Sequence, residues 1–312
     1  MNNLTKRILT AAVAIPVIIA LCVAGDLYFF LFVAAASGMA LYEFYGLAKA
    51  KGGNPQVRLG LVVGFLVNLS FYHLKLQAFV AGIFMRSGVA IPYPSQTQLL
   101  FMILILGSCL IGIVELFRDK GSAITNVSTT LFGILYVSLF FGTFVGLREL
   151  FTSQDPVFYR FFVTQLGLSD PDKIYRFGGY MVISLFAMIW ICDSAAFHAG
   201  TAMGKHKLFP RVSPNKSWEG AVFGFIFAVA AACAAKYLVL GFLPLGAAII
   251  VGVIVGTIGQ IGDLFESLLK RDAGVKDSSH LIPGHGGALD RFDSLLLVAP
   301  LVYYYIDFLF FS

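Results

Sequence analysis

The chain has 312 residues, of which 58% are hydrophobic and only 12% charged, and its net charge is +5. Its mean hydropathy is +0.85, and a soluble domain carries about a quarter charged residues, so the composition excludes a soluble globular domain and makes lipid the solvent. The excess of lysine and arginine is the kind that gathers in loops on one membrane face, which sets nucleic acid aside as a partner.

Read from the N-terminus, residues 1–7 form a short basic stretch before the apolar run 8–24. That pattern resembles a signal peptide. A second apolar run follows at once after Gly25 and Asp26, so a retained first span is preferred. A bilayer core of about 30 Å takes about 20 apolar residues per helix. On that measure the chain predicts nine spans, over 8–24, 27–48, 59–80, 98–117, 129–147, 179–198, 219–238, 244–263 and 294–311. The expected fold is an all-α, polytopic integral membrane bundle of about nine transmembrane helices with a cytoplasmic N-terminus. In that orientation the cytoplasmic loops hold fifteen of the 22 lysines and arginines. The opposite side holds Arg86, Arg148, Arg160, Lys173 and Arg176, while Lys75 and Lys236 fall in spans or at their ends. The bias is that of a positive-inside protein.

The expected organisation is an N-terminal region, 1–177, and a C-terminal catalytic region, 178–312. The first ends in an aromatic-rich external stretch, 148–177, that reads as an interfacial segment. The second carries two long polar cytoplasmic loops, 198–218 and 264–293. Cys22, Cys109, Cys192 and Cys233 all lie in apolar runs without a C-x-x-C pair, which argues against a zinc ribbon or a disulfide framework.

Carboxylates at the ends of apolar spans are expensive unless paired or functional. Asp193 ends the sixth span, Glu219 opens the seventh and Asp263 ends the eighth, all near the cytoplasmic face. On a helix, Asp263, Glu266, Ser267 and Lys270 share one face, opposite Leu264, Phe265, Leu268 and Leu269. Such a stripe either faces headgroup water or lines a site. The following loop gathers Lys270, Arg271, Lys276 and Arg291 with Asp272, Asp277, Asp290 and Asp293, and surrounds His285 with Gly284, Gly286 and Gly287. Cations and glycine-freed amides suit phosphate oxygens. Carboxylates beside them call for a bridging cation, and oxygen-only ligands favour magnesium. The combination points to metal-assisted phosphoryl or nucleotidyl transfer. His285 is preferred as a phosphate hydrogen-bond donor over a zinc ligand, because no second His or Cys stands at ligand spacing, and His280 as an ordinary loop residue. In the other loop, Ser217 or Asn215 can cap a helix whose N-terminus, flanked by Lys216, suits an anion.

The segment S-L-L-K-R-D-A-G-V-K-D-S-S-H-L-I-P-G-H-G-G-A-L-D-R-F-D, residues 267–293, resembles the signature of phosphatidate cytidylyltransferases, the CDP-diacylglycerol synthases. S-P-N-K-S-W-E-G at 213–220 resembles that family's S-P-K-K-T-W-E-G, and 193–204 resembles its D-x-x-A-y-x-x-G-x-x-x-G. The motifs cover the last third to 40% of the chain. Asn215 and Ser217 replace a lysine and a threonine, and Ala288 stands where a larger aliphatic is usual. The resemblance implies that CTP and phosphatidate give CDP-diacylglycerol and diphosphate, with Mg2+ held by Asp263 and Asp290 and a second cation left open. It implies catalytic roles for Asp263, Asp290, Lys270, Arg271 and Asp293. Phosphate or substrate contacts fall to Lys216, Ser217, Ser267, Lys276, Asp277, His285, Gly286, Gly287 and Arg291. Further expectations are a bacterial inner membrane, an active site on its cytoplasmic side, and a homodimer left open. Alternatives are a CTP-dependent lipid or polyprenol kinase and a transporter. A transporter predicts acids near the midplane and often a repeated half, whereas these acids cluster at one face.

Overall fold

The computed structural model describes residues 3–85, 92–279, 281 and 286–311. Arg86, His280, Pro283, Gly284 and His285 lie outside the described residues. The molecule is a helical bundle whose outer surface carries large apolar side chains, such as Phe101, Leu106, Leu116 and Phe223. Only helices can satisfy their own backbone groups in hydrocarbon, which is why such a composition folds this way.

Among the described residues, seven helices are long and apolar enough to cross a membrane, or eight if one bent pair is a single span. Helix α1 (Asn3–Ala24) precedes them; its side chains are described from residue 12, leaving the apolar helix Ala12–Ala24. It breaks at Gly25, whose φ of 63° is left-handed, and α2 (Asp26–Ala50) follows. The predicted single span 59–80 is instead α3 (Val57–Ser70) and α4 (His73–Met85), meeting at 87°. The polar residues Asn68, Ser70, Tyr72 and His73 around that break explain why no single apolar rod forms there. Helix α5 (Gln96–Leu116) starts at a capping box of Ser95 and Gln98. Helices α6 (Ala123–Gly133) and α7 (Phe140–Glu149) are one span joined by a π-helical stretch, Ile134–Leu139.

Arg148, expected in an external loop, is instead wholly buried in α7. Its guanidinium donates to the carbonyls of Cys22 (2.9 Å), Val23 (3.4 Å) and Tyr175 (3.2 Å). The stretch that follows folds into α8 (Pro156–Leu166), begun by Asp155 and ended by left-handed Gly167. It turns Phe158 and Phe162 inward, where Phe162 stacks on Phe177.

Helix α9 (Pro171–Met203) is about 50 Å long at 1.5 Å per residue, more than a bilayer core. Beyond it, β1 (Lys207–Phe209) and β2 (Ser213–Ser217) pair antiparallel, a hairpin that the apolar pattern does not signal. Helix α10 (Trp218–Leu238) then runs back along α9. A Cβ on Gly220 would stand 2.6 Å from the Ala196 carbonyl, and one on Gly224 3.0 Å from that of Cys192. Small residues four apart let two backbones meet where no hydrophobic force between helices exists. Gly252 and Gly256 do the same between α10 and the span of α11 (Leu245–Ile254), a π-helical stretch (Val255–Gly259) and α12 (Gln260–Asp272). Helix α13 (Leu289–Phe311) completes the bundle, packing on α7 and α12.

Candidate active site

The polar stripe of α12 faces the interior. Glu266, Ser267 and Lys270 are buried, so the stripe packs into the bundle and does not meet headgroup water. The cause is Gly262: a Cβ there would stand 2.7 Å from the Asp293 carbonyl, so α12 and α13 touch backbone to backbone. That contact brings Asp263 beside Asp293.

Around Asp263 four chain segments meet. Lys216 on β2 reaches its Oδ2 at 2.6 Å, and the Ser267 hydroxyl donates to its Oδ1 at 3.3 Å. Asp193 on α9 and Asp293 on α13 act electrostatically on each other, and each also on Asp263 and Lys216. Arg291 adds its field at Asp193. Ser217, next to Lys216, is buried and caps α10, accepting from the Gly220 amide at 3.2 Å, so the predicted helix start is real.

Two turns further along α12 lies a second node. The Lys270 ammonium stands 2.6 Å from Glu266 Oε2 and 2.5 Å from Asp290 Oδ1, and all three residues are buried. Asp290 Oδ2 accepts from the Ser278 amide (2.9 Å), the Ser278 hydroxyl (2.8 Å) and the Gly287 amide (2.7 Å). Gly286 has a left-handed φ of 77°, and a Cβ there would stand 2.6 Å from that same oxygen. Here glycine is required both for conformation and for space.

The site therefore gathers Lys216, Asp263, Ser267, Lys270, Gly286, Gly287, Asp290 and Asp293. Other predicted residues stand at its edge. Arg271 is exposed and donates to the Val275 carbonyl at 2.8 Å. Lys276, Asp277 and Arg291 are exposed. Glu219 turns away, taking the His206 ring nitrogen at 2.6 Å and closing the hairpin.

Two residues that sequence reasoning passed over are part of this arrangement. Ser278 gives Asp290 two hydrogen bonds. Glu43, from α2, accepts four from the same loop. The expense of a carboxylate in an apolar span, which singled out Asp193 and Asp263, applies equally to Glu43.

Among the described residues, no three His, Cys, Asp or Glu side chains are arranged to hold a metal. The donor chemistry nevertheless suits a hard divalent cation. Among the described residues, Asp193, Asp263, Glu266, Asp290 and Asp293 are offset by Lys216 and Lys270, which form ion pairs with them, and by the field of Arg291 at Asp193. Glu266 is wholly buried and its Oε1 has no hydrogen-bond partner. Uncompensated carboxylates in a low dielectric are costly, and oxygen-only donors match magnesium.

Comparison with known proteins places the chain in a family. The model of the cytidylyltransferase family matches residues 5–309. A phosphatidate cytidylyltransferase of Synechocystis is 31% identical over 97% of this chain and 96% of its own length. One of Bacillus subtilis is 31% identical over 97% of this chain and 98% of its own. A phosphatidate cytidylyltransferase of Haemophilus influenzae reaches 44% over 42% of this chain and 47% of its own. A match this complete accounts for the membrane bundle and the phosphate-suited loops together: the chain belongs to the cytidylyltransferase family and is a membrane nucleotidyltransferase.

Proposed function

We propose that the protein transfers the cytidylyl group of CTP to phosphatidate, giving CDP-diacylglycerol and diphosphate, at the cytoplasmic face of a bacterial inner membrane. The observation that carries this reading is the node of Lys270 and Asp290 joined to the Asp263 cluster at one end of the bundle, in a chain similar over 97% of its length to proteins named phosphatidate cytidylyltransferase.

The chemistry follows from charge. The nucleophile is a phosphate monoester oxygen, largely ionised near neutral pH, so no strong general base is needed. It attacks the α-phosphorus of CTP in line, and the bond from that phosphorus to the β-phosphate oxygen breaks, releasing diphosphate. The obstacle is repulsion between anions, which fixed cations and dipoles relieve. Arg271, Lys276 and Arg291, exposed at the site's edge, receive the triphosphate. His285 adds a hydrogen-bond donor, the Gly286 and Gly287 backbone close approach, and Asp277 a further substrate contact. Lys216, behind the helix start capped by Ser217, meets a substrate phosphate. Lys270 is buried between two carboxylates, so it orients Asp290 and lends its field to the site. Asp263 and Asp290 would hold Mg2+, with Asp293 beside them and Asp193 and Glu266 as further oxygen donors. When bound, that ion supplies charge neutralisation and alignment of the phosphates. Helices open to lipid leave the diacyl chains in the bilayer.

The test uses purified protein, phosphatidate, magnesium and CTP labelled at the α- or the γ-phosphate. Label entering lipid from the α position is the expected result. Transfer from γ alone marks a lipid kinase and sinks the proposal.

A further inference from the structure

Glu43 sits on α2 between Tyr42 and Phe44 and is only 4% exposed. Its Oε1 accepts from the Ser279 hydroxyl at 2.6 Å and the Ala288 amide at 3.0 Å. Its Oε2 accepts from the Ser278 hydroxyl at 2.9 Å and the Leu289 amide at 2.8 Å. Two donors come from Ser278 and Ser279, inside the connection between α12 and α13, and two from Ala288 and Leu289 at the start of α13. One side chain therefore ties two separate points of this connection to α2. A carboxylate that accepts helix N-terminal amides is stabilised there by hydrogen bonding and by the helix dipole together.

The pin also connects to the reacting centre. The Ser278 hydroxyl lies 2.9 Å from Glu43 Oε2 and 2.8 Å from Asp290 Oδ2. A hydroxyl has one proton and serves one acceptor at a time. Asp290 Oδ2 already receives two amides, from Ser278 and Gly287, and Glu43 Oε2 only one, from Leu289, so Glu43 Oε2 is the acceptor in greater need. Glu43 is thus one hydroxyl away from the carboxylate that pairs with Lys270. The glycine between them is equally constrained: a Cβ on Gly287 would collide with Glu43 Oε2 and with Ser278 Oγ.

We propose that Glu43 is a positioning residue for nucleotidyl transfer: it touches no substrate, and it fixes Ser278 and Ser279 against Ala288 and Leu289 and, through Ser278, the Asp290–Lys270 pair. The proposal rests on reading that loop as part of the active site. Glutamine at 43 keeps the shape and offers one accepting oxygen in place of two, turning an amide group toward donors.

Wild type, Glu43→Gln and Ser279→Ala, purified in detergent, are compared for kcat, KM for CTP, melting temperature and amide exchange. Misplacing reacting groups by about 1 Å costs about a hundredfold in rate. For Glu43→Gln the expected result is a kcat lowered roughly 30- to 100-fold with a far smaller change in KM. Exchange at Ala288 and Leu289 quickens while that of α5 and α10 is unchanged. Ser279→Ala shifts kcat and loop exchange in the same direction by less. A kcat within about twofold of wild type for Glu43→Gln overturns the proposal, as does faster exchange throughout the bundle. Where Glu43→Gln fails to fold, unaltered kcat and exchange in Ser279→Ala overturn it. A wild-type enzyme inactive on CTP and phosphatidate sinks the functional reading instead, and the exchange measurement still decides whether Glu43 holds the loop.

Discussion

At the scale of single residues, the site is a set of carboxylates whose partners differ. Asp290 is heavily engaged, with one oxygen on Lys270 and the other on the Ser278 and Gly287 amides, the Ser278 hydroxyl standing within reach of it and of Glu43. Replacing it with asparagine removes the charge and aims an amide at donors. Removing one partner of a buried ion pair costs about 3–5 kcal/mol. We expect Asp290→Asn to be expressed, to melt several degrees lower, and to lose turnover by about a thousandfold or more, as for other groups that stabilise charge in the transition state. Near-normal turnover in the α-label assay removes Asp290 from the site. The residue types of this site were legible in the sequence, because glycines, cations and carboxylates stand so close together between 267 and 293. Partnership was not legible. Nothing in the spacing says that Glu219 turns to His206 while Asp263 takes Lys216, since both choices depend on a hairpin with no apolar pattern of its own.

At the scale of elements, glycines set how closely helices approach, and one crossing sets the site. Gly262→Ala adds a methyl 2.7 Å from the Asp293 carbonyl, so α12 must move away from α13. Asp263 and Asp293 then separate. A shift of about 1 Å predicts a loss of roughly a hundredfold in kcat/KM. Gly246→Ala, on α11 with nothing within 4 Å of the added carbon, is the matched control and should keep wild-type activity. Equal activity in both variants rules out the crossing as the feature that sets the site. The helices themselves follow from apolar length, and the predicted spans match α2, α5 and α10 closely, while α9 and α13 extend beyond the spans 179–198 and 294–311. The kink between α3 and α4 escaped that reading because a hydropathy window averages over Ser70 to His73. The inward face of α12 escaped it because an amphipathic stripe fixes which residues share a face and not what the face meets.

At the scale of the whole molecule, composition alone indicated a lipid solvent, and the apolar exterior bears that out. The orientation rests on charge bias, and side-specific labelling checks it. In a background without the natural cysteines, Val275→Cys in the α12–α13 loop should react with a membrane-impermeant maleimide only from the cytoplasmic side. Gln165→Cys on α8 should react only from the opposite side. The reverse pattern inverts the topology.

The reach of Glu43 has a consequence in time. Its partners follow it by 235 to 246 positions in the chain. At synthesis rates of about 5–20 residues per second, α2 waits roughly 12–50 s for the loop that satisfies its carboxylate. Until α13 is made, Glu43 lacks the four donors that meet it in the finished fold. A ribosome that stalls before Ser278 leaves a chain whose second helix carries a carboxyl without any of its four donors, a difference between an unfinished enzyme and a finished one.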